Sequence, residues 1–212
     1  MKEKLYVVLA SGRGSNLNSL LDAGLPGRCA VVICNRPGAA ALAVAQAHGI
    51  ATVVIDHAQY SSREGFDAAL AEEIEHHQPD LVLLAGFMRI LTDDFVRRFA
   101  GRMLNIHPSL LPAFPGITTH ALALASGVRI HGCTVHFVTP DLDAGPIILQ
   151  AAVPVLDDDT EETLAARVLA REHEVYPMAA AWFLKGELKL DGRHVRYAGP
   201  QSESVWLCSP PV

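Results

Sequence analysis

The segment from Leu5 to Leu21 reads LYVVLASGRGSNLNSLL and decides which fold the rest of the chain is expected to build. Its first six residues, Leu5 to Ala10, form a continuous apolar run. Such a run is typical of a strand that is covered on both faces. Gly12 and Gly14 interrupt the run, and leucines of a helical pattern follow. A strand, a glycine turn and a helix in this order predict the first half of a β-α-β unit.

The same alternation continues through the first half of the chain. Four further apolar runs are interpreted as strands, at 29–34, 52–55, 81–84 and 103–106. Helical patterns lie between them, among them an alanine-rich segment closed by Gly49 and a segment from Ser61 to His77. We therefore predict an α/β protein with a mostly parallel, Rossmann-like twisted sheet and helices on both faces.

The pattern changes after Pro115. Two strand-like runs, at 131–138 and 147–155, are separated by a connection rich in turn-forming residues. A long helix is expected from Thr160 to about Leu184. Glycines in the tail predict a small hairpin after about residue 190 and then a frayed end. No linker divides the chain, so we expect residues 1–212 to form one domain.

Composition excludes several classes of function. Half of the residues are hydrophobic, 19% are charged and the formal net charge is -6, with no basic cluster, so nucleic acid is not an expected partner. The apolar stretch near the N-terminus is too short for a signal peptide or a membrane span, which predicts a cytoplasmic protein without a membrane partner. A disulfide framework or zinc site is not indicated by the spacing of the four cysteines, Cys29, Cys34, Cys133 and Cys208. Pattern alone leaves a monomer and a homodimer equally open.

The loop from Ser11 to Asn16 suits an anion. Glycines allow close approach of the backbone, and the N-terminus of the following helix offers free N–H groups. A dinucleotide is disfavoured, because Leu17 stands where the third glycine of that motif belongs and Asn35, not an acid, ends the second strand. An ordinary tight turn explains the glycines equally well.

The stretch 105–116, NIHPSLLPAFPG, is the first candidate for chemistry. Side chains two residues apart on a strand point the same way, so Asn105 and His107 are expected on one face. An amide can donate two hydrogen bonds, and an imidazole changes charge near neutral pH. Three prolines then keep the connection from forming a helix, which is more constraint than a spacer needs.

Asp143 is the second candidate. If the strand at 131–138 lies beside the strand at 103–106 and runs the same way, Asp143 and His107 leave the sheet at one edge. A carboxylate beside an imidazole can accept a proton directly or through water. Asp143 also fits a simple turn with Asp141 and Gly145, and His136 fits a packed, hydrogen-bonded core residue.

Four motifs together resemble the phosphoribosylglycinamide formyltransferases, a folate-dependent family of the formyltransferase superfamily. The similarity covers about residues 4–190, and the pairing of Asn-x-His with a distant Leu-Asp-x-Gly is specific to that superfamily. Two positions depart from the family pattern: Pro140, where an acidic or aliphatic residue is usual, and Thr118, where histidine is common. The motifs are GRGSN at 12–16, AGFMRIL at 85–91, NIHPSLLP at 105–112 and GCTVHFVTPDLDAGPII at 132–148.

The resemblance implies formyl transfer from 10-formyltetrahydrofolate to the amine of glycinamide ribonucleotide in purine biosynthesis. Asn105 and protonated His107 would donate hydrogen bonds to the developing oxyanion, and Asp143 would relay the amine proton through water. No metal is implied. The nucleotide is assigned to Gly14, Ser15, Asn16 and Glu172. The folate is assigned to Arg63, Met88, Arg89, Ile90, Leu91, Asn105, Thr139, Pro140, Asp141 and Asp143. From the residues alone, Met88, Ile90 and Leu91 also fit core positions.

Three alternatives are separable by architecture or by assay. A methionyl-tRNA formyltransferase is expected to carry a further C-terminal domain and a basic surface, and about 20 residues after Leu190 leave no room for one. A formyltetrahydrofolate hydrolase is expected to carry an added N-terminal regulatory domain, but the first strand starts at about Leu5. A non-enzymatic nucleotide-binding module would use the glycine loop and have no need of an oxyanion donor pair.

Overall fold

A computed structural model describes residues 3–199 of the chain. Seven strands form the main sheet and two more form a hairpin. The strands are β1 (Leu5–Ala10), β2 (Arg28–Cys34), β3 (Thr52–Val54), β4 (Leu81–Leu84), β5 (Met103–His107), β6 (Ile130–Phe137), β7 (Ile147–Pro154), β8 (Leu188–Asp191) and β9 (His194–Tyr197). The helices are α1 (Ser15–Asp22), α2 (Ala40–Ala47), α3 (Arg63–His76), α4 (Asp93–Arg98), α5 (Thr119–Ala125) and α6 (Glu161–Lys185), with a short 3-10 helix at His57–Gln59.

The predicted fold class is confirmed. The main sheet has the order β3-β2-β1-β4-β5-β6-β7, and its first five strands pair in parallel. β6 and β7 are antiparallel to their neighbours, which the apolar runs did not reveal. The short helices α4 and α5 were not predicted either. Each carries too few residues for its hydrophobic period to stand out.

Two apolar clusters cover the two faces of the sheet. One lies under α1, α2, α5 and α6, and the other lies under α3 and α4. Along β5, Leu104 and Ile106 point into the first cluster, whereas Met103 points into the second. Because side chains alternate along a strand, Asn105 and His107 lie on the same face as Met103.

The helix α6 secures the strands that carry the candidate site. It begins after Thr160, whose side chain caps the first turn, and ends at Gly186 in a left-handed conformation. The predicted start and end are therefore confirmed. Within this helix the fully buried Tyr176 places its hydroxyl 3.0 Å from the carbonyl oxygen of Leu84, the last residue of β4, and 3.1 Å from that of Leu104, the residue before Asn105 in β5. This contact fixes the spacing of the two strands at the edge where the site lies.

The predicted hairpin in the tail is present as β8 and β9, which pair antiparallel around a turn at Gly192. The predicted frayed end and Cys208 lie outside the described residues. The three cysteines in residues 3–199 are buried free thiols. Burial raises the pKa of Cys29 and of Cys133 to about 12. In the same range, His, Cys, Asp and Glu form no group of three that could hold a metal ion, and no helix has the length and apolar character of a membrane span.

Candidate active site

Asn105 and His107 emerge on one face of β5, as their spacing predicts. His107 is buried and Asn105 is half-buried. The neighbouring strand β6 also alternates between apolar and polar side chains. Its apolar residues Cys133, Val135 and Phe137 point into the same cluster as Leu104 and Ile106, on the other face of the sheet. Its polar side chains, Thr134 and His136, therefore join the two residues of β5. The alternation of small or polar residues with apolar ones in GCTVHF builds a polar surface beside Asn105.

Asp143 reaches His107 by a route that differs from the predicted one. The condition that the strand at 131–138 runs parallel to β5 is not met, because β6 runs antiparallel to β5 and ends opposite Leu104. The connection 138–146 instead folds back across the sheet, which places Asp143 Oδ2 at 3.6 Å from His107 Nδ1. Asp143 has a left-handed backbone with φ of 52°, a conformation that Asp adopts more readily than most residues. The predicted meeting of the two side chains is present in the structure.

Gly145 permits this fold-back. A Cβ at this position would lie 1.7 Å from the carbonyl oxygen of Phe137, so the connection can close on β6 only with glycine here. The carbonyl of Pro146 also accepts a hydrogen bond of 2.9 Å from the N–H of Phe137. The Leu-Asp-x-Gly motif thus has a local reason: the glycine lets the connection return at once, and the aspartate then projects toward β5.

The proline-rich connection after β5 surrounds the imidazole. His107 Nε2 lies 3.1 Å from the carbonyl oxygen of Phe114, and Asp143 Oδ2 accepts a 3.0 Å hydrogen bond from the N–H of Gly116. Both ring nitrogens of His107 therefore face oxygen atoms, Nδ1 toward the carboxylate and Nε2 toward a carbonyl. A carbonyl only accepts, so the ring presents an N–H to Phe114. This arrangement suits a hydrogen-bond donor.

Two polar residues that sequence reasoning missed hold the same connection in place. Thr134 Oγ1 donates to the carbonyl oxygen of Ser109 at 2.7 Å and accepts from the N–H of Leu111 at 3.0 Å. Gln150 of β7 donates to the carbonyl oxygen of Leu111 at 2.9 Å and to Thr134 Oγ1 at 3.0 Å. The only available signal was their placement on the polar face of alternating strands, which needs the strand register to be interpreted.

The glycine loop after β1 has the local geometry that an anion site needs. Gly14 precedes α1 with φ of 82°, and a Cβ there would lie 2.8 Å from Cα of Ala41, so the loop packs directly on α2. Within residues 3–199 no side chain caps the start of α1, which leaves its first N–H groups available. A cleft of about 640 Å³ opens here, lined by Arg13, Gly14 and Ser15 together with His173 of α6. Positive charge and free N–H groups fit an anion.

Glu172 of α6 lies at the same end of the sheet. It is 7% exposed, and its Oε2 accepts a 2.7 Å hydrogen bond from Asn16 Nδ2. Burial raises the pKa of this carboxyl group, and the bond from Asn16 opposes that rise. The structure thus brings together Asn16 and Glu172, which lie 156 positions apart in the sequence.

The segment 88–91 is an irregular stretch that is fixed at both ends. The buried Ser11 Oγ accepts a 2.8 Å hydrogen bond from the N–H of Met88, and the buried Asp67 Oδ2 accepts one of 2.6 Å from the N–H of Thr92. Between these anchors, Met88 and Ile90 are 65% and 62% exposed. The alternative assignment of these two side chains to the core is therefore wrong.

The remaining predicted folate residues lie on α3 and on the connection after β6. Leu91 and Val138 both pack against the apolar cluster under α3 and α4. The segment 88–91 and the start of the connection 138–146 therefore lie on the same side of the sheet. The guanidinium of Arg89 lies 5.9 Å from the centre of the Phe66 ring. Thr139 Oγ1 donates to the carbonyl oxygen of Asp141 at 3.2 Å, and Pro140 and Asp141 are exposed. Arg63 lines a separate cleft of about 480 Å³ between α3 and α4.

A pair of histidines lies beneath the proline-rich connection. His131 is 1% exposed, its Nε2 lies 3.2 Å from His120 Nδ1, and the Phe114 ring packs edge-on against it. Burial, reinforced by the neighbouring His120, lowers the pKa of His131 from 6.5 to about 4. Folding therefore favours the neutral ring of His131, whereas the unfolded chain binds a proton below about pH 6.5.

We expect this histidine to make stability depend on pH. Between about pH 6.5 and pH 4 the unfolded state binds the extra proton, so the free energy of unfolding falls as the pH is lowered, by at most about 3 kcal/mol for His131. Urea unfolding of the wild type and of His131→Gln at pH 7.5 and pH 5 measures the effect. The variant should lose less stability between the two values, and equal losses would contradict the assignment.

Comparison with known proteins gives a consistent result. The family model described as "Formyl transferase" matches residues 4–180. The chain is 49% identical to phosphoribosylglycinamide formyltransferase of Escherichia coli (strain K12) over 188 residues, which cover 87% of this chain and 89% of that protein. It is also 49% identical over 193 residues to "Trifunctional purine biosynthetic protein adenosine-3" of Bos taurus, where the match covers 89% of this chain and 19% of the longer protein.

Solved structures show the same relationship. Glycinamide ribonucleotide transformylase 1 from Symbiobacterium toebii superposes with a TM-score of 0.90 at 50% identity and covers 93% of this chain and 95% of its own. Phosphoribosylglycinamide formyltransferase from Coxiella burnetii superposes with a TM-score of 0.89 at 45% identity, with the same coverage of the two chains. Fold, motifs and sequence identity agree over nearly the whole described chain. The chain belongs to the formyl transferase family, in the branch of the phosphoribosylglycinamide formyltransferases.

Proposed function

We propose that this protein transfers the formyl group of 10-formyltetrahydrofolate to the amine of glycinamide ribonucleotide, a step of purine biosynthesis. The observation that carries the proposal is the meeting of Asn105, His107 and Asp143 on one face of β5, with 3.6 Å between carboxylate and imidazole. The names of the relatives, with identities near 49%, support the same reaction.

The chemistry follows from the groups present. The lone pair of the amine attacks the formyl carbon, and the electrons of the C=O bond move onto its oxygen. The amide N–H of Asn105 and the Nδ1–H of protonated His107 stabilise this oxyanion, since donors that are already aimed at a developing charge need not reorganise. The Nε2–H of His107 is held by Phe114, whereas Nδ1 lies 3.6 Å from Asp143, which is longer than a hydrogen bond. Asp143 takes the proton that the amine loses, through a bound water. The electrons on the oxyanion then re-form the C=O bond, the bond from carbon to the folate nitrogen breaks, and that nitrogen takes the proton from Asp143 through the same water. No step uses a metal.

The nucleotide would bind across the end of the sheet. Its phosphate fits the cradle of Gly14, Ser15 and Asn16, where free N–H groups of α1 and the charge of Arg13 favour an anion. Its ribose hydroxyls would donate to Glu172, which Asn16 orients. The amine would then lie toward Asn105 and His107.

The folate would lie on the other side of the three residues. The exposed side chains of Met88 and Ile90 offer apolar contact, and the anchored backbone of Arg89 and Leu91 can pair with the edge of the pterin ring. Thr139, Pro140 and Asp141 would close over the ring, together with Asn105 and Asp143. Arg63 would attract the carboxylates at the far end of the folate.

Glu172→Gln is expected to raise KM for glycinamide ribonucleotide by about 10- to 100-fold with a small change in kcat, because a hydrogen bond to a carboxylate is replaced by a weaker one. Glutamine keeps an oxygen that can accept from Asn16, so the local structure should persist. Lowering the pH toward the raised pKa of Glu172 should likewise weaken nucleotide binding by the wild type, because the carboxylate loses its charge.

Steady-state kinetics with each substrate varied separate the effect of Glu172→Gln on KM from its effect on kcat. The control is Glu174→Gln, two residues along the helix and exposed in an ion pair with Arg171; an equal rise in KM there would contradict the role of Glu172.

The reaction itself is tested by mixing the purified protein with 10-formyltetrahydrofolate and glycinamide ribonucleotide and following the absorbance of the folate product. We expect turnover only when the nucleotide is present. Turnover with water alone would indicate a hydrolase, and turnover with methionyl-tRNA would indicate another formyltransferase. Nucleotide binding without any folate-dependent turnover would indicate a binding module and would overturn the proposal.

We further propose that residues 1–212 work as one domain, as a monomer or a homodimer, in the cytoplasm. Support for one domain comes from the seven-stranded sheet, because all parts of the proposed site belong to it. The glycine loop follows β1, Asn105 and His107 lie on β5, and Asp143 lies in the connection after β6. Support for the cytoplasm comes from the buried free thiols of Cys29, Cys34 and Cys133, which suit a reducing compartment.

A further inference from the structure

His136 is a buried histidine that the proposed reaction does not use. It is 2% exposed and lies directly opposite Asn105 in the pairing of β5 with β6. Its ring nitrogens have two different neighbours: Nδ1 lies 2.9 Å from the carbonyl oxygen of Phe137, and Nε2 lies 3.3 Å from Nδ2 of Asn105. The predicted character of His136 as a buried, hydrogen-bonded residue is confirmed, but one of its partners is a residue of the candidate site.

The first contact selects the tautomer of the ring. A carbonyl oxygen only accepts hydrogen bonds, so Nδ1 must carry the proton that His136 donates to Phe137. Burial lowers the pKa of His136. The other titratable groups that act on it are Asp143, which opposes the shift, and His107, which adds to it. In the neutral ring with a proton on Nδ1, Nε2 has a free lone pair and can only accept.

The second contact then determines how the amide of Asn105 is turned. A nitrogen that only accepts attracts the NH₂ group of the amide and repels its carbonyl oxygen, so Nδ2 faces His136 and Oδ1 points away. One N–H of Nδ2 bonds to His136, and the second stays available to a substrate. If the amide turned over, an oxygen would take the place of this donor and would repel the negative charge that develops during formyl transfer.

We propose that His136 is a positioning residue, which holds the amide of Asn105 in the orientation that presents an N–H to the formyl oxygen. The inference rests on the proposed function, because it assigns to His136 the aim of a donor that only this reaction needs. His136 touches no substrate in this scheme. It acts through Asn105 alone, and its partner Phe137 keeps it in the required tautomer.

Two substitutions separate this role from simple packing. His136→Phe keeps an aromatic ring but removes the acceptor, and we expect kcat to fall about 10-fold with KM for both substrates unchanged, since one hydrogen bond orients the amide. His136→Gln can place an oxygen near the position of Nε2, and it should restore most of the rate. In an Asn105→Ala background, His136→Phe should have no further effect on kcat. If the two substitutions act additively, or if KM rises while kcat is unchanged, the proposal is wrong.

A measurement on the wild-type chain tests the tautomer directly and does not depend on how the variants fold. In the protein labelled with ¹⁵N-histidine, the ring of His136 should show a proton on Nδ1 and none on Nε2 at pH 7, with the signal assigned by its loss in His136→Gln. A proton on Nε2, or a doubly protonated ring, would overturn the proposal. Failure of the proposed function would give a different result, because the wild-type protein would then show no folate-dependent turnover with glycinamide ribonucleotide, whatever the tautomer of His136.

Discussion

Asp143→Asn is expected to lower kcat by about 100- to 10,000-fold, because the substitution removes the group that takes the proton of the attacking amine. The fold should be retained. Asparagine keeps an oxygen that can accept from the N–H of Gly116, and asparagine also tolerates the left-handed backbone at this position, where φ is 52°. The loss should therefore appear in the chemical step and leave the thermal unfolding midpoint close to that of the wild type.

Single-turnover kinetics with both substrates saturating measure the effect. The control is Asp157→Asn, which removes an exposed carboxylate that pairs with Arg129 at the surface and should leave the rate unchanged. A wild-type rate in Asp143→Asn would remove the proton relay from the mechanism, whatever the distance of 3.6 Å between Asp143 and His107 suggests.

Asn105→Ala is expected to lower kcat by about 100- to 1000-fold, since one preorganised donor to the oxyanion is lost. KM for either substrate should change little, because the donor strengthens its bond only as charge develops on the formyl oxygen. Pre-steady-state measurement of the formyl-transfer step, together with both KM values, gives the split between binding and chemistry.

Asn105→Asp is the matched comparison for this prediction. It keeps the size of the side chain but offers only acceptors when ionised, so its rate should be no higher than that of Asn105→Ala. Should either variant raise KM and leave the chemical step at its wild-type rate, Asn105 would be a binding residue and the oxyanion would need another donor.

Much of the fold could be predicted because its signals are local. The strands β1, β2 and β4 are buried on both faces and show as continuous apolar runs, and α6 is bounded by a threonine cap and a glycine end. The sequence left the direction of β6 open, and the parallel direction that was assumed for the meeting of Asp143 and His107 is not the one found. Its eight residues are compatible with either direction, since alternation of side chains specifies the face of a strand and not its polarity.

In the candidate site, too, some residues could be predicted from local spacing and others could not. Asn105 and His107 were paired correctly by their spacing, because two residues apart on a strand means one face. Thr134 and Gln150 were missed and His136 was interpreted as part of the core, because their roles arise from contacts across strands. Nothing within β6 indicates that His136 meets Asn105, which lies 31 residues earlier.

By itself the sequence determined the β-α-β order, the polar face of β5 and the family of the chain, because each depends on periodicity or on short motifs read along the backbone. Only the tertiary structure decided that Asp143 returns to His107 across an antiparallel strand, that Glu172 meets Asn16 and that His136 holds Asn105. These contacts join residues that are remote in the chain. Their geometry depends on strand direction and on the packing of α6, which no local pattern encodes. It depends also on Gly145, whose place in the motif can be seen in the sequence but whose close approach to the carbonyl of Phe137 cannot.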